Sequence, residues 1–300
     1  GKTSRVWYTA VLGSSDVGDL ERVPTSNYVD LDEQDGDEVT GLVGNHLGNV
    51  VVFKRNQIWK LIPTGDAVTP YSRVCLTKFV GCVEAKTIVQ AEDENGNPAI
   101  YFLSRKGPYR ISTSGLEYCG RDIEDIWATV NLAATDIIGH GLYYRQKHQV
   151  WFWLSTSGTD SPNMRVVLDT HLCRRSSGGV RLGWTKHTGP SCTAACSVFS
   201  KASYSPTITD ERPYVGSNAT VVKMMMCDVG TTDDATAFQA YVKTKPYALS
   251  GLGRNCGVGQ THLTAEAGDG VEITQTLVRD YGAESRTSTC VLTSDGDETR

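Results

Sequence analysis

The chain lacks most of the features that would assign it to a class at once. Its apolar runs, such as Val50–Phe53 and Val150–Leu154, are short. Both fall far short of the roughly 20 residues that a membrane-crossing helix needs, so no membrane segment is expected. Methionine is scarce, with four in 300 residues. The chain opens Gly1-Lys2-Thr3 without a charged-then-apolar leader, and it stops at Arg300 straight after a β-like run. No secretory signal is read, and a piece of a longer polypeptide is expected. Neither a P-loop nor a G-x-S-x-G nucleophile turn occurs. Helical periodicity is confined to Arg121–Val130, where Ile123, Ile126, Trp127 and Val130 share one face behind Asp122 as the N-cap. Basic charge is also short: 29 Lys and Arg stand against 34 Asp and Glu, for a net charge of −5. That argues against a duplex-binding module, which carries a basic face. A mildly acidic wall instead repels DNA and lets it slide past.

What is abundant is β- and turn-forming residues: 30 Gly, 32 Thr and 30 Val. This composition excludes collagen, coiled coil and wholesale disorder. The nine cysteines, Cys75, Cys82, Cys119, Cys173, Cys192, Cys196, Cys227, Cys256 and Cys290, are odd in number and scattered in spacing. A disulfide framework prefers an even set in a shorter chain. They are read as buried free thiols in a reducing compartment, acting as small apolar residues.

A search for repeats is more informative. Phe53–Leu61 returns fifty residues later as Leu103–Ile111: an apolar strand end, a polar turn, then an aromatic, a basic and an aliphatic residue. The same shape is read at Tyr143–Trp153 and, more weakly, at Tyr214–Val222. Each is a β-hairpin, preceded by a β-like run at Glu38–Val43, Val83–Val89, Thr135–Gly141 and Cys192–Phe199. A hairpin with flanking strands every ~40–50 residues has the size of one four-stranded propeller blade. The expected fold is therefore all-β, a β-propeller of four-stranded blades over 1–230. Residues 231–300 are read as a final blade or a small β-sandwich. A β-sandwich with similar hairpins throughout is the competing architecture.

The candidate chemical motifs are weak. Asp30–Glu38 is the densest acidic run, but the order of a calcium loop fails, with Gln34 at position five and Gly41 where Glu is needed at twelve, so a solvated turn is read. Glu92–Pro98 reads the same way, with Asn95-Gly96 as the hairpin turn. Ser14–Leu20 partly resembles the Asp-box turn of sialidase-type propellers. His171, Cys173, His187, Cys192 and Cys196 are the one metal-like group, yet they lack a second tight pair of ligands. Asn218-Ala219-Thr220 is a formal glycosylation sequon, read as a turn. Arg105–Arg110 is basic and aromatic, as single-strand nucleic-acid contacts are, but it lies in a hairpin and reads as a solvated turn.

A family resemblance adds to this. Val80-Gly81-Cys82-Val83, Ala99–Arg110, Gly115-Leu116-Glu117 and Arg121-Asp122-Ile123-Glu124, together with the Gly41–Leu61 stretch and Trp7-Tyr8-Thr9, resemble the β-propeller nozzle, or tail-stabilisation, proteins of short-tailed double-stranded DNA bacteriophages. The resemblance covers roughly residues 1–230. It implies a non-enzymatic structural protein of the virion tail, made in the host cytoplasm. Several copies, usually six, would form a ring below the head-to-tail adaptor, beside other tail proteins, and genomic DNA would pass through without specific binding. It implies no cofactor and carries over no catalytic, cofactor-binding or metal-ligating residue. Two other functions fit a β-propeller: a sialidase- or glycosidase-like tail depolymerase, with acids and arginines converging at the axis, and an extracellular glycan- or protein-binding module.

Overall fold

The structure is a computed structural model. It describes residues 4–9, 23–32, 35–66, 68–134, 138–176, 179–188, 192–200, 210–217, 223–227, 232–233, 236–237, 272–279 and 284–291. The chain divides into two compact units, Gly1–Ala235 and Thr236–Arg300.

The first unit is built from antiparallel meanders. A short ribbon, β1 (Arg5–Trp7) with β2 (Tyr28–Asp30), comes first. Sheet one then runs β3 (Val39–His46), β4 (Asn49–Lys54), β5 (Ile58–Pro63) and β6 (Tyr71–Thr77). Sheet two is β7 (Val89–Glu92), β8 (Pro98–Ser104), β9 (Gly107–Ser112) and β10 (Gly115–Tyr118). Sheet three is β11 (Gly139–Tyr144), β12 (Gln149–Leu154), β13 (Met164–Ser176) and β14 (Gly179–Thr188). Sheet four has β15 (Cys192–Ser200), β16 (Asp210–Ser217) and β17 (Met224–Met226) among the described residues. In every sheet spatial order follows chain order. First strands begin at 39, 89, 139 and 192, at intervals of 50, 50 and 53 residues.

Local chemistry makes the meander. Between β3 and β4, His46 pairs with Asn49, and the two turn residues Leu47 (φ 52) and Gly48 (φ 75) are both left-handed. That backbone matches the twist of a two-residue hairpin. The second strands β4, β8 and β12 carry unbroken apolar runs because both of their faces are covered. Val51 and Phe53 pack with Ile100, Phe102 and Ile111 between sheets one and two. Tyr101 and Leu103, on the opposite face of β8, pack with Val150, Phe152 and Leu154 between sheets two and three. Trp151, Trp153 and Val167 then meet Cys192 and Val215 of sheet four. The sheets therefore stack face to face in chain order, which a two-layer sandwich does not do.

Several sequence expectations need correction in detail. The hairpin Tyr143–Trp153 joins first and second strands, whereas Phe53–Leu61 and Leu103–Ile111 join second and third. The aromatic residues that suggested equivalence arise because β11 and β12 both face buried layers. The run Val83–Val89 is mostly irregular and contains a single helical turn at Ala85–Thr87; strand pairing begins only at Val89. The helix expected over Arg121–Val130 shrinks to a tight turn at Arg121–Ile123 followed by one α-turn, Glu124–Trp127. Its cap position falls on Gly120 rather than Asp122, with no side-chain cap bond. The apolar face is nonetheless used: Ile123 and Val130 are buried, and Ile126 and Trp127 pack against the same core. The Trp127 indole donates to the Arg105 carbonyl oxygen at 3.2 Å.

In the second unit, Glu272–Arg279 pairs antiparallel with Glu284–Val291. The hydroxyls of Thr276 and Thr287 face each other there at 3.2 Å. Among the described residues no helix is long and apolar enough to cross a membrane.

Candidate functional site

The most constructed region of the first unit is the inner edge, where the first strands of successive sheets meet. Glycine permits that approach. A Cβ on Gly41 of β3 would stand 2.4 Å from Ile88 Cδ1, and one on Gly141 of β11 would stand 2.4 Å from Val89 Cγ2. At Gly41 the neighbour is the tip of a side chain that can swing aside, whereas at Gly141 the Thr87 carbonyl oxygen also stands 3.1 Å away, so a side chain there would crowd the backbone. Thr87 is fully buried beside them; its hydroxyl donates to the Glu84 carbonyl oxygen at 2.7 Å and accepts from the Leu103 amide at 3.3 Å. Cys82 lies 3.6 Å from that hydroxyl, and burial pushes its thiol up to about 11. His140, on β11, reaches from the Lys86 carbonyl on one side to the Ala195 carbonyl on the other. The four first strands carry one carboxylate, Glu92, and no arginine.

The acidic run proves to be a clamp rather than a solvated turn. Arg5 donates to both carboxylate oxygens of Asp30, at 2.6 and 2.7 Å, with its guanidinium over the Tyr28 ring. Lys78 pairs with Asp32, and Arg55 with Glu38. Asp37 is buried and accepts from the Asn56 backbone and side-chain amides. At the centre, the ammonium of fully buried Lys54 donates to Asp35 at 2.5 Å and to the Leu31 carbonyl oxygen at 3.0 Å. Burial alone would raise the Asp35 pKa. Lys54, the Asp37 amide and Gln57 outweigh it and hold the carboxyl below its ordinary value. A carboxyl depressed in the folded state stabilises above its unfolded pKa of about 3.9 and loses that contribution as pH falls through the lower folded value. Acid unfolding of the wild type should therefore steepen below about pH 4. In Asp35→Asn this increment should vanish, as followed by tryptophan fluorescence across an acid titration; parallel curves for the two proteins would contradict it.

The second acidic turn is also built in. Asp93 is buried and accepts from the Asn95 and Asn97 amides at 2.8 and 2.9 Å, shaping the β7–β8 turn. Glu94 pairs with Arg110 at 2.5 Å, and Glu117 pairs with the same guanidinium at 2.7 Å. This splits the basic–aromatic motif Arg105–Arg110. Arg105 and Lys106 are exposed, Tyr109 packs into the core, and Arg110 is fully buried. The buried ion pairs are the residues that sequence reasoning missed. One signal was present: Arg110 and Glu117 are equidistant from the two-residue turn Thr113-Ser114, and they pair across it.

The metal-like group is dispersed. His187 pairs with Arg165 near one end of β13, while His171 lies in the bulge after Asp169, six residues along and therefore roughly 20 Å away. His171 stacks on His148 with ring centroids 3.8 Å apart. Cys192 is buried, and its thiol is pushed up to about 12 by that burial; Cys196 is exposed. Among the described residues no three His, Cys, Asp or Glu side chains converge as a metal set. Of the thiols described, Cys82, Cys119 and Cys192 are buried, and Cys75 and Cys227 are half-buried. The exposed Cys196 departs from the uniformly buried set expected. Ser14–Leu20, Asn218-Ala219-Thr220 and the side chain of Cys173 lie outside the described residues.

The two ends of the stack are apolar. Trp7 and Tyr28 stand exposed on the β1–β2 ribbon. On the face of sheet four turned away from sheet three, Val198, Met224 (77 % exposed) and Met226 are open to solvent. The site therefore offers packing surfaces, with the buried Lys54 and Arg110 each paired to carboxylates. No protein-family model and no curated protein matches the chain.

Proposed function

We propose that the chain is a structural protein of the virion, part of the tail nozzle of a short-tailed double-stranded DNA phage, with its first unit a β-propeller beside the DNA-ejection channel. One observation carries this reading: a four-stranded antiparallel meander recurs at intervals of 50, 50 and 53 residues. Each sheet packs on the next, and glycines let the first strands converge. Convergence along one edge is what blades around an axis require. The apolar ends of the stack are the surfaces through which a propeller closes on itself. A net charge of −5 suits a wall that DNA passes, because it favours repulsion over phosphate binding. A ring of copies, six by the family resemblance, with the head-to-tail adaptor as neighbour, belongs to the same proposal. The sialidase-like rival needs several acids and arginines at the axis, and the first strands bring only Glu92.

Gold-labelled antibody against the chain should bind virus particles at the tail, below the head; label on the head shell, or chain absent from particles, would overturn the reading. The isolated 300-residue chain should run as monomers or weak assemblies in light scattering, because ring contacts between rigid walls draw on neighbouring proteins. Stable hexamers would contradict that expectation.

A further inference from the structure

His140 is placed between two carbonyl oxygens, one in the segment leading into sheet two and one on sheet four. Its Nδ1 lies 3.1 Å from the Lys86 oxygen, in the segment leading into sheet two, and its Nε2 lies 2.9 Å from the Ala195 oxygen on β15 of sheet four. Carbonyl oxygens only accept, so both bonds call for an N–H from the ring. Neutral imidazole has one N–H and imidazolium has two. We propose that His140 is a proton-dependent strap. As imidazolium it donates to both carbonyls and ties the inner edges of three successive sheets together. As neutral imidazole it must turn a lone pair toward one carbonyl oxygen, and that tie is lost.

The surroundings favour a device over a filler. The strap lies beside Gly141, whose lack of a side chain lets β11 approach Val89 and the Thr87 carbonyl oxygen. Of the strands packed against β11, β7 carries Glu92 and β16 carries charge at its Asp210–Arg212 end. Glu84 and Lys86 belong to the segment before β7, and β15 has no charged residue. Across β11–β14 the residues His140, Trp153, Arg165 and His187 form one cross-strand row. Arg165 lies over the Trp151 and Trp153 rings and donates to His187 Nδ1 at 3.1 Å. His187 is therefore the neutral end of the row, and burial, with Arg165 added, holds its pKa below the ordinary value. Lys86, Arg165 and Glu84 are charged neighbours on these elements. The two carbonyl oxygens act at hydrogen-bond distance, closer than any of these.

The test is urea unfolding of the 300-residue chain and of His140→Gln at about pH 5.5 and about pH 8.5, on either side of the ordinary imidazole value of about 6.5. Glutamine keeps one donor and one acceptor at both. Because the other five histidines are common to both proteins, the difference between the two proteins isolates His140. Going from the higher to the lower pH, the wild type should gain about ten-fold in folding equilibrium beyond any gain of the variant, one hydrogen bond's worth. Identical pH dependence would overturn the proposal. Nitrogen-15 spectra of the wild-type ring give a second readout that does not need the variant to fold: protons on both ring nitrogens at the lower pH support the strap, and a single neutral tautomer at both pH values overturns it.

Discussion

Arg110→Ala is expected to cost the first unit about 3–5 kcal/mol, the largest loss of any single charged side chain described here. The guanidinium is fully buried, and it is held by Glu94 on one side and Glu117 on the other. Burial alone would lower its pKa, but Glu94, Tyr101 and Glu117 together hold it above the ordinary arginine value. Removing it leaves two carboxylates, both mostly out of solvent, facing each other without a counter-charge. It also leaves the Tyr101 ring with a void beside it, between sheets two and three. The midpoint of urea unfolding, followed by tryptophan fluorescence, should fall accordingly. The triple variant Arg110→Met, Glu94→Gln, Glu117→Gln should recover much of the loss, because a neutral, space-filling set no longer strands a charge. A single variant that loses less than about 1 kcal/mol would mean that the triad is surface-like in its energetics.

Gly81→Ala is expected to be nearly as damaging, by about 3 kcal/mol, through sterics alone. A Cβ on Gly81 would stand 2.2 Å from the Lys54 carbonyl oxygen, 2.5 Å from the Arg55 carbonyl carbon and 2.5 Å from the Asn56 nitrogen. All three are backbone atoms, so no side chain can rotate away. The next residue is also tied to that carbonyl, with the Cys82 amide donating to the Lys54 oxygen at 2.9 Å. The crossover from sheet one to sheet two would have to lift off the β4–β5 turn. Thermal unfolding of Gly81→Ala beside Gly96→Ala separates crowding from backbone preference, since the Gly96 Cβ would meet nothing within 4 Å while its φ of +78 is left-handed. A smaller drop in melting temperature for Gly81→Ala than for Gly96→Ala would count against the close-approach argument.

The two variants mark where sequence reasoning reached and where it stopped. The equivalence of Phe53–Leu61 and Leu103–Ile111 was legible because second and third strands repeat the same apolar run, polar turn and aromatic–basic–aliphatic triplet. The third hairpin was misplaced by one strand because β11 carries Tyr143 and Tyr144, which imitate that pattern on a first strand. The acidic run Asp30–Glu38 was read as solvated because its partners, Lys54, Arg55 and Lys78, are distant in the chain and no local spacing announces them. Arg110 and Glu117 were within reach, being symmetric about a two-residue turn, but their burial depends on sheet three lying across them.

By itself the sequence determined an all-β first unit with a repeat near fifty residues, because strand alternation, apolar runs and turn residues are local properties of the chain. It also excluded a membrane-crossing helix, since run length is read directly. The tertiary structure alone decided that the four sheets stack in chain order, that four of the five described acids of the 30–38 run are held in ion pairs, and that His140 reaches from the segment before sheet two to sheet four. Those outcomes depend on which faces meet. Side chains on both faces of β4, β8 and β12 are equally apolar, so composition cannot choose their neighbours; only packing assigns each face its partner and each buried charge its counter-charge.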